Sequence, residues 1–108
     1  SAQLTTGEGI VQSAVPVIDS DGKASTIITN TSETATNVYI ISAYYNSEED
    51  MVSAVKYEKF TVGAGKTENI SMREAHSAPT EWAEQRVFIW DGFEKMNPYC
   101  TYGSRKNQ

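Results

Sequence analysis

The branched side chains of this chain constrain its fold more than any other feature. Val, Ile and Thr number 8, 8 and 11, a quarter of the residues, whereas leucine occurs once, at Leu4. Branching at Cβ removes rotamer freedom in a helix but packs well on a pleated surface, so a core drawn from these residues is a core of strands. With 108 residues the chain has the size of one domain, which buries ~65% of its unfolded surface on folding. The sequence therefore predicts a single all-β unit.

Strand and turn signals alternate along it. Ser1 to Gly9 is polar and reads as a flexible lead-in, with the domain spanning 10–103 and a basic tail over 104–108. Ile10 to Ile18 alternates loosely around Pro16, which lacks a ladder donor and suits an edge strand or a bulge. Asp19-Ser20-Asp21-Gly22 reads as a hairpin turn, and Ala24 to Thr29 as the next strand. Thr36 to Asn46 and Met51 to Val62 form two further strands, paired through the charged turn Ser47 to Asp50. Gly63-Ala64-Gly65 turns the chain into Thr67 to Met72, and Gln85 to Asp91 follows a polar stretch, Arg73 to Glu84, with room for one helical turn. A last short strand fits before the C-terminus. About seven short strands in ~100 residues predict a β-sandwich of immunoglobulin or fibronectin type III kind, without the immunoglobulin cysteine pair.

Charge and motifs exclude several functions. The net charge of -5 repels polyphosphate and anionic lipid, so neither nucleic acid nor a membrane is an expected partner. The longest apolar run, Val38 to Ile41, is far below the ~20 residues of a spanning helix. Gly63 to Thr67 ends Gly-Lys-Thr, but Phe60 occupies the position where a phosphate loop needs its first glycine. Glu48, Glu49 and Asp50 crowd one turn instead of facing each other across a cleft, as a glycosidase pair must, and Asp91 stands apart from them. Asp19, Asp21 and the Glu48 to Asp50 turn lack the spacing of a calcium loop. Single copies of histidine and cysteine, His76 and Cys100, make neither a metal site nor a supported dyad. The sequence points to no enzyme, no metal and no cofactor.

Eleven aromatic side chains remain, more than a small core requires. Exposed rings present apolar faces on which sugar C–H groups stack. Trp82, in a polar stretch, is the leading site candidate. In simple register the Ser47 to Asp50 hairpin sets Ile40 opposite Tyr57 and Tyr44 opposite Ser53, which puts Tyr44 and Tyr57 on one face as further candidates. Tyr39, Ile41, Ala43 and Tyr45 then share the other face with Lys56 and Glu58. Both faces are apolar, so the pattern does not say which is buried. Phe88 and Trp90 alternate with Val87 and Ile89 along a central strand, where Trp90 is expected in the core.

Ile28-Thr29-Asn30-Thr31-Ser32, Ile41 to Asn46, Met51-Val52-Ser53, Val62 to Thr67 and, above all, Val87-Phe88-Ile89-Trp90-Asp91-Gly92-Phe93-Glu94-Lys95-Met96-Asn97-Pro98 carry a resemblance. The chain resembles the fibronectin-like β-sandwich accessory modules of secreted, mostly clostridial, polysaccharide-degrading and cell-surface proteins. That family reads Val-Phe-Xaa-Trp-Asp, then a Ser-Leu-like pair, then Met-Lys-Pro-Leu; here Gly92-Phe93 replaces the pair, and Asn97 and Tyr99 depart. The resemblance implies an extracellular or cell-surface location and neighbouring domains in a longer chain. It implies either a non-catalytic module that binds a plant or cell-wall polysaccharide or a ligand-free spacer; a protein-adhesion or scaffolding module, by strand addition at an open edge, is a further alternative. It assigns no binding residues.

Overall fold

The computed structural model describes residues 11–107, which form eight strands and no helix. One sheet is built on β3 (Ala24–Asn30), with β1 (Val11–Ser13) and β2 (Val17–Ile18) in turn along one edge and β6 (Thr67–Ser71) along the other. The second sheet has the order β5-β4-β7-β8, from β5 (Lys56–Val62), β4 (Thr36–Tyr45), β7 (Glu84–Trp90) and β8 (Gly103–Lys106). All pairings are antiparallel.

The edge containing Pro16 behaves as its missing N–H requires. Ser13 stands opposite Ile28 and Val17 opposite Ser25, a slip of one residue that leaves Val15 and Pro16 in a bulge between β1 and β2. In the turn after β2 the Asp19 carboxylate accepts the N–H groups of Asp21 and Lys23, while Gly22 takes φ 84°. The Gly63 to Lys66 turn joins two strands, with Lys66 N–H bonded to the Gly63 carbonyl; no helix follows that would cradle a phosphate.

Facing side chains fill the space between the sheets. Ile28, Val38, Ile40, Val62, Val87, Ile89 and Met72 are each almost completely buried in one cluster. Polar groups lock this apolar centre at both ends. At one end Asn30, fully buried, donates from Nδ2 to the Thr34, Val62 and Gly63 carbonyls and accepts from Ser32, tying β3 to the end of β5. At the other, Ser42, Tyr44, His76 and Gln85 form a network described below.

Three boundaries differ from the sequence reading. Met51 makes only an isolated bridge to Tyr45, and regular pairing starts at Lys56, because four residues on this side oppose two on β4. The segment between β6 and β7 contains no helical turn. It is held by side chains: the Glu58 carboxylate receives the N–H groups of Arg73 and Glu74, and His76 inserts into the interior. β8 pairs as far as Lys106, which brings Arg105 into the structure instead of leaving it in a tail. The lead-in and Ile10 lie outside the described residues.

Candidate functional site

Strand register determines which rings share a surface. Ile41 stands opposite Tyr57 on one side and Phe88 on the other, and Tyr39 opposite Trp90. These residues project from the outer face of the β5-β4-β7-β8 sheet, because their neighbours Ile40, Ser42, Val87 and Ile89 are buried on the inner one. Tyr45 and Tyr102 extend the same surface. Tyr57, Phe93 and Tyr102 are exposed; the other rings are half-buried.

Each ring leans on the next. Phe88 lies 5.3 Å from Trp90 and 5.4 Å from Tyr102, while Phe93 contacts Tyr57 at 5.0 Å and Tyr39 at 5.3 Å, both edge to face. Interplanar angles along the surface run from 43° for Phe88–Trp90 to 76° for Trp90–Phe93, so the rings offer faces and edges in turn and define no single plane.

Arg86 rises through one end of this surface, where Ala43 opposite leaves space. Its guanidinium lies 4.4 Å from the Tyr45 ring centre and 5.1 Å from that of Tyr102, and Nη2 donates to Glu84 at 2.9 Å. That bond, more than the nearby Ser104 hydroxyl and Lys106, holds the Glu84 carboxyl below its ordinary range. The other end is shaped by the loop after β7. Asp91 accepts the Asn97 N–H at 2.9 Å and Asn97 Nδ2–H at 3.1 Å, and Asp91 N–H bonds the Asn97 carbonyl at 3.0 Å. This closed loop carries Phe93 back over Tyr39 and Tyr57. Beside it is an open hollow of about 380 Å³.

Of the sequence candidates, only Tyr57 belongs to this face. The expected opposition of Ile40 and Tyr57 is corrected to Ile41 and Tyr57, since the residues looped out after Met51 shift the hairpin register. Tyr44 shares the parity of Ile40 and Ser42, points inward and is completely buried. Lys56 and Glu58, opposite Ser42 and Ile40, also point to the inner side, contrary to the face expected for them. Trp82 is half-buried at the interior end, 5.2 Å edge-on from Tyr44 and capped by the Arg105 guanidinium at 4.5 Å. Trp90, expected in the core, is on the outer face because Val87 and Ile89 take the inner positions of β7. The reading missed Tyr39, Phe88, Phe93, Tyr102 and Arg86. The alternation in β7 held the available signal: branched residues mark the core side, which leaves the aromatic ones outside.

The polar interior contains a serine and a histidine in contact, without access to a substrate. Gln85 Nε2 donates to Ser42 Oγ and to the Gly22 carbonyl, while Ser42 Oγ is 2.6 Å from His76 Nδ1. Burial keeps the ring neutral, which lets Nδ1 accept the Ser42 hydroxyl hydrogen while the serine oxygen accepts from Gln85. Burial holds its pKa below the ordinary 6.5; the Lys56 charge acts the same way, and a hydrogen bond to the Ala54 carbonyl acts against both. Ser42 is completely buried, so the pair serves structure. Burial likewise raises the Cys100 thiol, against a lowering hydrogen bond with Ser13. Among the described residues no three His, Cys, Asp or Glu side chains gather as metal ligands.

No protein-family model matches this chain, and no curated protein or solved structure matches it. The residues themselves carry the functional argument.

The depressed histidine gives a testable pH dependence. The unfolded chain takes up a proton at this ring near 6.5, and the folded chain only at lower pH, so stability from this group is present above 6.5 and is lost as pH falls below it. Urea midpoints of the wild type should fall more between about pH 7.5 and about pH 5.5 than those of His76→Gln, which does not titrate there. Equal falls would mean that the ring protonates equally in both states.

Proposed function

We propose that this chain is a non-catalytic, fibronectin type III-like accessory module that holds a polysaccharide on the outer face of its β5-β4-β7-β8 sheet. The observation that carries this reading is the continuous surface of Tyr39, Tyr57, Phe88, Trp90, Phe93 and Tyr102. Apolar groups gathered on one side of a small domain mark a contact surface, and rigid rings hold a ligand at low entropic cost. Hydroxyl, amide and carboxylate groups at its margin suit the hydroxyls of a sugar. The tilts between rings favour a single chain that turns from one unit to the next over the flat face of a crystalline polymer. Two facing four-stranded sheets, both antiparallel, support the fibronectin-like arrangement. The likeness to accessory modules of secreted clostridial proteins supports an extracellular setting beside other domains.

Affinity electrophoresis against plant and bacterial cell-wall polysaccharides tests the reading. Retention by at least one polymer is expected. Phe88→Ala removes the ring between Trp90 and Tyr102 and should weaken it by about 2 kcal/mol, ~30-fold, as for the central aromatic of an interface. Trp82→Ala, whose ring packs on Tyr44 and Arg105, should leave retention unchanged at a temperature where it is folded. Loss in Trp82→Ala with Phe88→Ala unaffected would move the site to the interior end, and no retention by any polymer would leave a spacer or protein-contact role.

A further inference from the structure

The hollow beside Phe93 has the means to discriminate between sugars by charge. Asn37, Tyr39, Asp91, Phe93, Glu94 and Lys95 line it, and its 380 Å³ lies within the range of small-ligand sites, which starts at ~300 Å³. Tyr39 and Phe93, edge to face at 5.3 Å, supply an apolar wall continuous with the aromatic face. Thr61 donates to Asn37 Oδ1 at 2.9 Å, which leaves the amide NH₂ as the group offered to a ligand. Asp91, already oriented by Asn97, and Glu94 are acceptors that require hydroxyl donors. Two carboxylates stand against the single ammonium of Lys95, on a chain whose net charge is -5.

From this geometry we infer that the hollow is the subsite that selects uncharged pyranose units and rejects uronates. The inference rests on the polysaccharide reading of the adjoining face. An uncharged sugar stacks its C–H face on the rings, gives hydroxyl hydrogens to Asp91 and Glu94, and takes a hydrogen bond from Asn37. A uronate would bring a third carboxylate to the same space, where a donor is needed and only Lys95 and the Asn37 amide can serve.

The test compares neutral cell-wall polysaccharides with polygalacturonate at physiological ionic strength, using wild type, Phe93→Ala, Glu94→Lys and Glu48→Lys. Glu94 and Glu48 are both exposed, so neither substitution should disturb folding; Glu48, on the β4–β5 hairpin, makes the same change of net charge away from the hollow. Wild type should be retained by a neutral polymer and not by polygalacturonate. Phe93→Ala should lose roughly tenfold or more in neutral binding. Glu94→Lys, which gives up one acceptor, should weaken neutral binding and gain polygalacturonate retention, and Glu48→Lys should change neither. Neutral binding that survives Phe93→Ala, equal retention of both polymer classes by wild type, or an equal response to both lysine variants would overturn the subsite while the sugar face stands. Absence of retention by every polymer would overturn both.

Discussion

Replacing Gly22 by alanine is expected to destabilise the domain by roughly 3 kcal/mol or more, combining left-handed backbone strain with a steric clash at a buried polar cluster. The residue has φ 84°, and a methyl group there would stand 2.5 Å from the His76 carbonyl oxygen and 2.6 Å from the Tyr44 hydroxyl. These two atoms are themselves hydrogen-bonded, and Arg105 Nη2 donates to the same hydroxyl at 3.1 Å. Relief of the clash requires either the turn or the His76 segment to retreat, which breaks that chain. At ~4–8 °C per kcal/mol for a domain near this size, the melting temperature should fall by ~12 °C or more. Gly65→Ala is the control. Its φ of 69° carries a similar backbone penalty, but nothing lies within 4 Å of the added methyl, so a loss near 1 kcal/mol is expected. Equal losses in the two variants would show that Gly22 contributes backbone freedom alone.

Gln85→Leu should cost about as much for a different reason. The side chain is completely buried, donates to Ser42 Oγ at 2.9 Å and to the Gly22 carbonyl at 3.1 Å, and accepts from Arg105 Nε at 2.9 Å. Leucine keeps most of the volume but abandons three partners, one of them charged. Unpaired buried groups cost ~1–3 kcal/mol each, partly recovered by relaxation, so a net loss of about 3 kcal/mol is expected in urea denaturation. The effect should also be non-additive with Arg105→Met, because the second substitution removes the charge that the first strands. Additivity would mean that Gln85 and Arg105 are stabilised independently.

The two variants separate what was legible in the sequence from what was not. The Asp19 to Gly22 turn, the Pro16 irregularity, the Gly63 to Gly65 reversal and the pairing of β4 with β5 follow from local chemistry: a missing N–H, a positive φ, a side chain that bonds its own backbone. Alternation also placed Val87 and Ile89 together. It did not place Gln85 or Ser42, polar residues at inward positions, because a buried polar group is tolerated only through partners distant in sequence. Gln85 meets Gly22, and Tyr44 meets Arg105, across |i−j| of 63 and 61.

The candidate site was less legible still. Tyr44 and Tyr45 are adjacent and chemically alike, yet one is interior and the other lies under Arg86 on the outer face. Alternation sets the two on opposite faces without saying which is buried, and which of them shares a face with Tyr57 depends on residues looped out between Met51 and Lys56. The strand content, the principal turns and the excess of rings were thus determined by the sequence itself, because backbone propensity and side-chain alternation act within a few residues. Which rings share a surface, which carboxylates adjoin the hollow and which polar groups close the core were decided only by tertiary structure, because sheet packing alone brings those distant residues into contact.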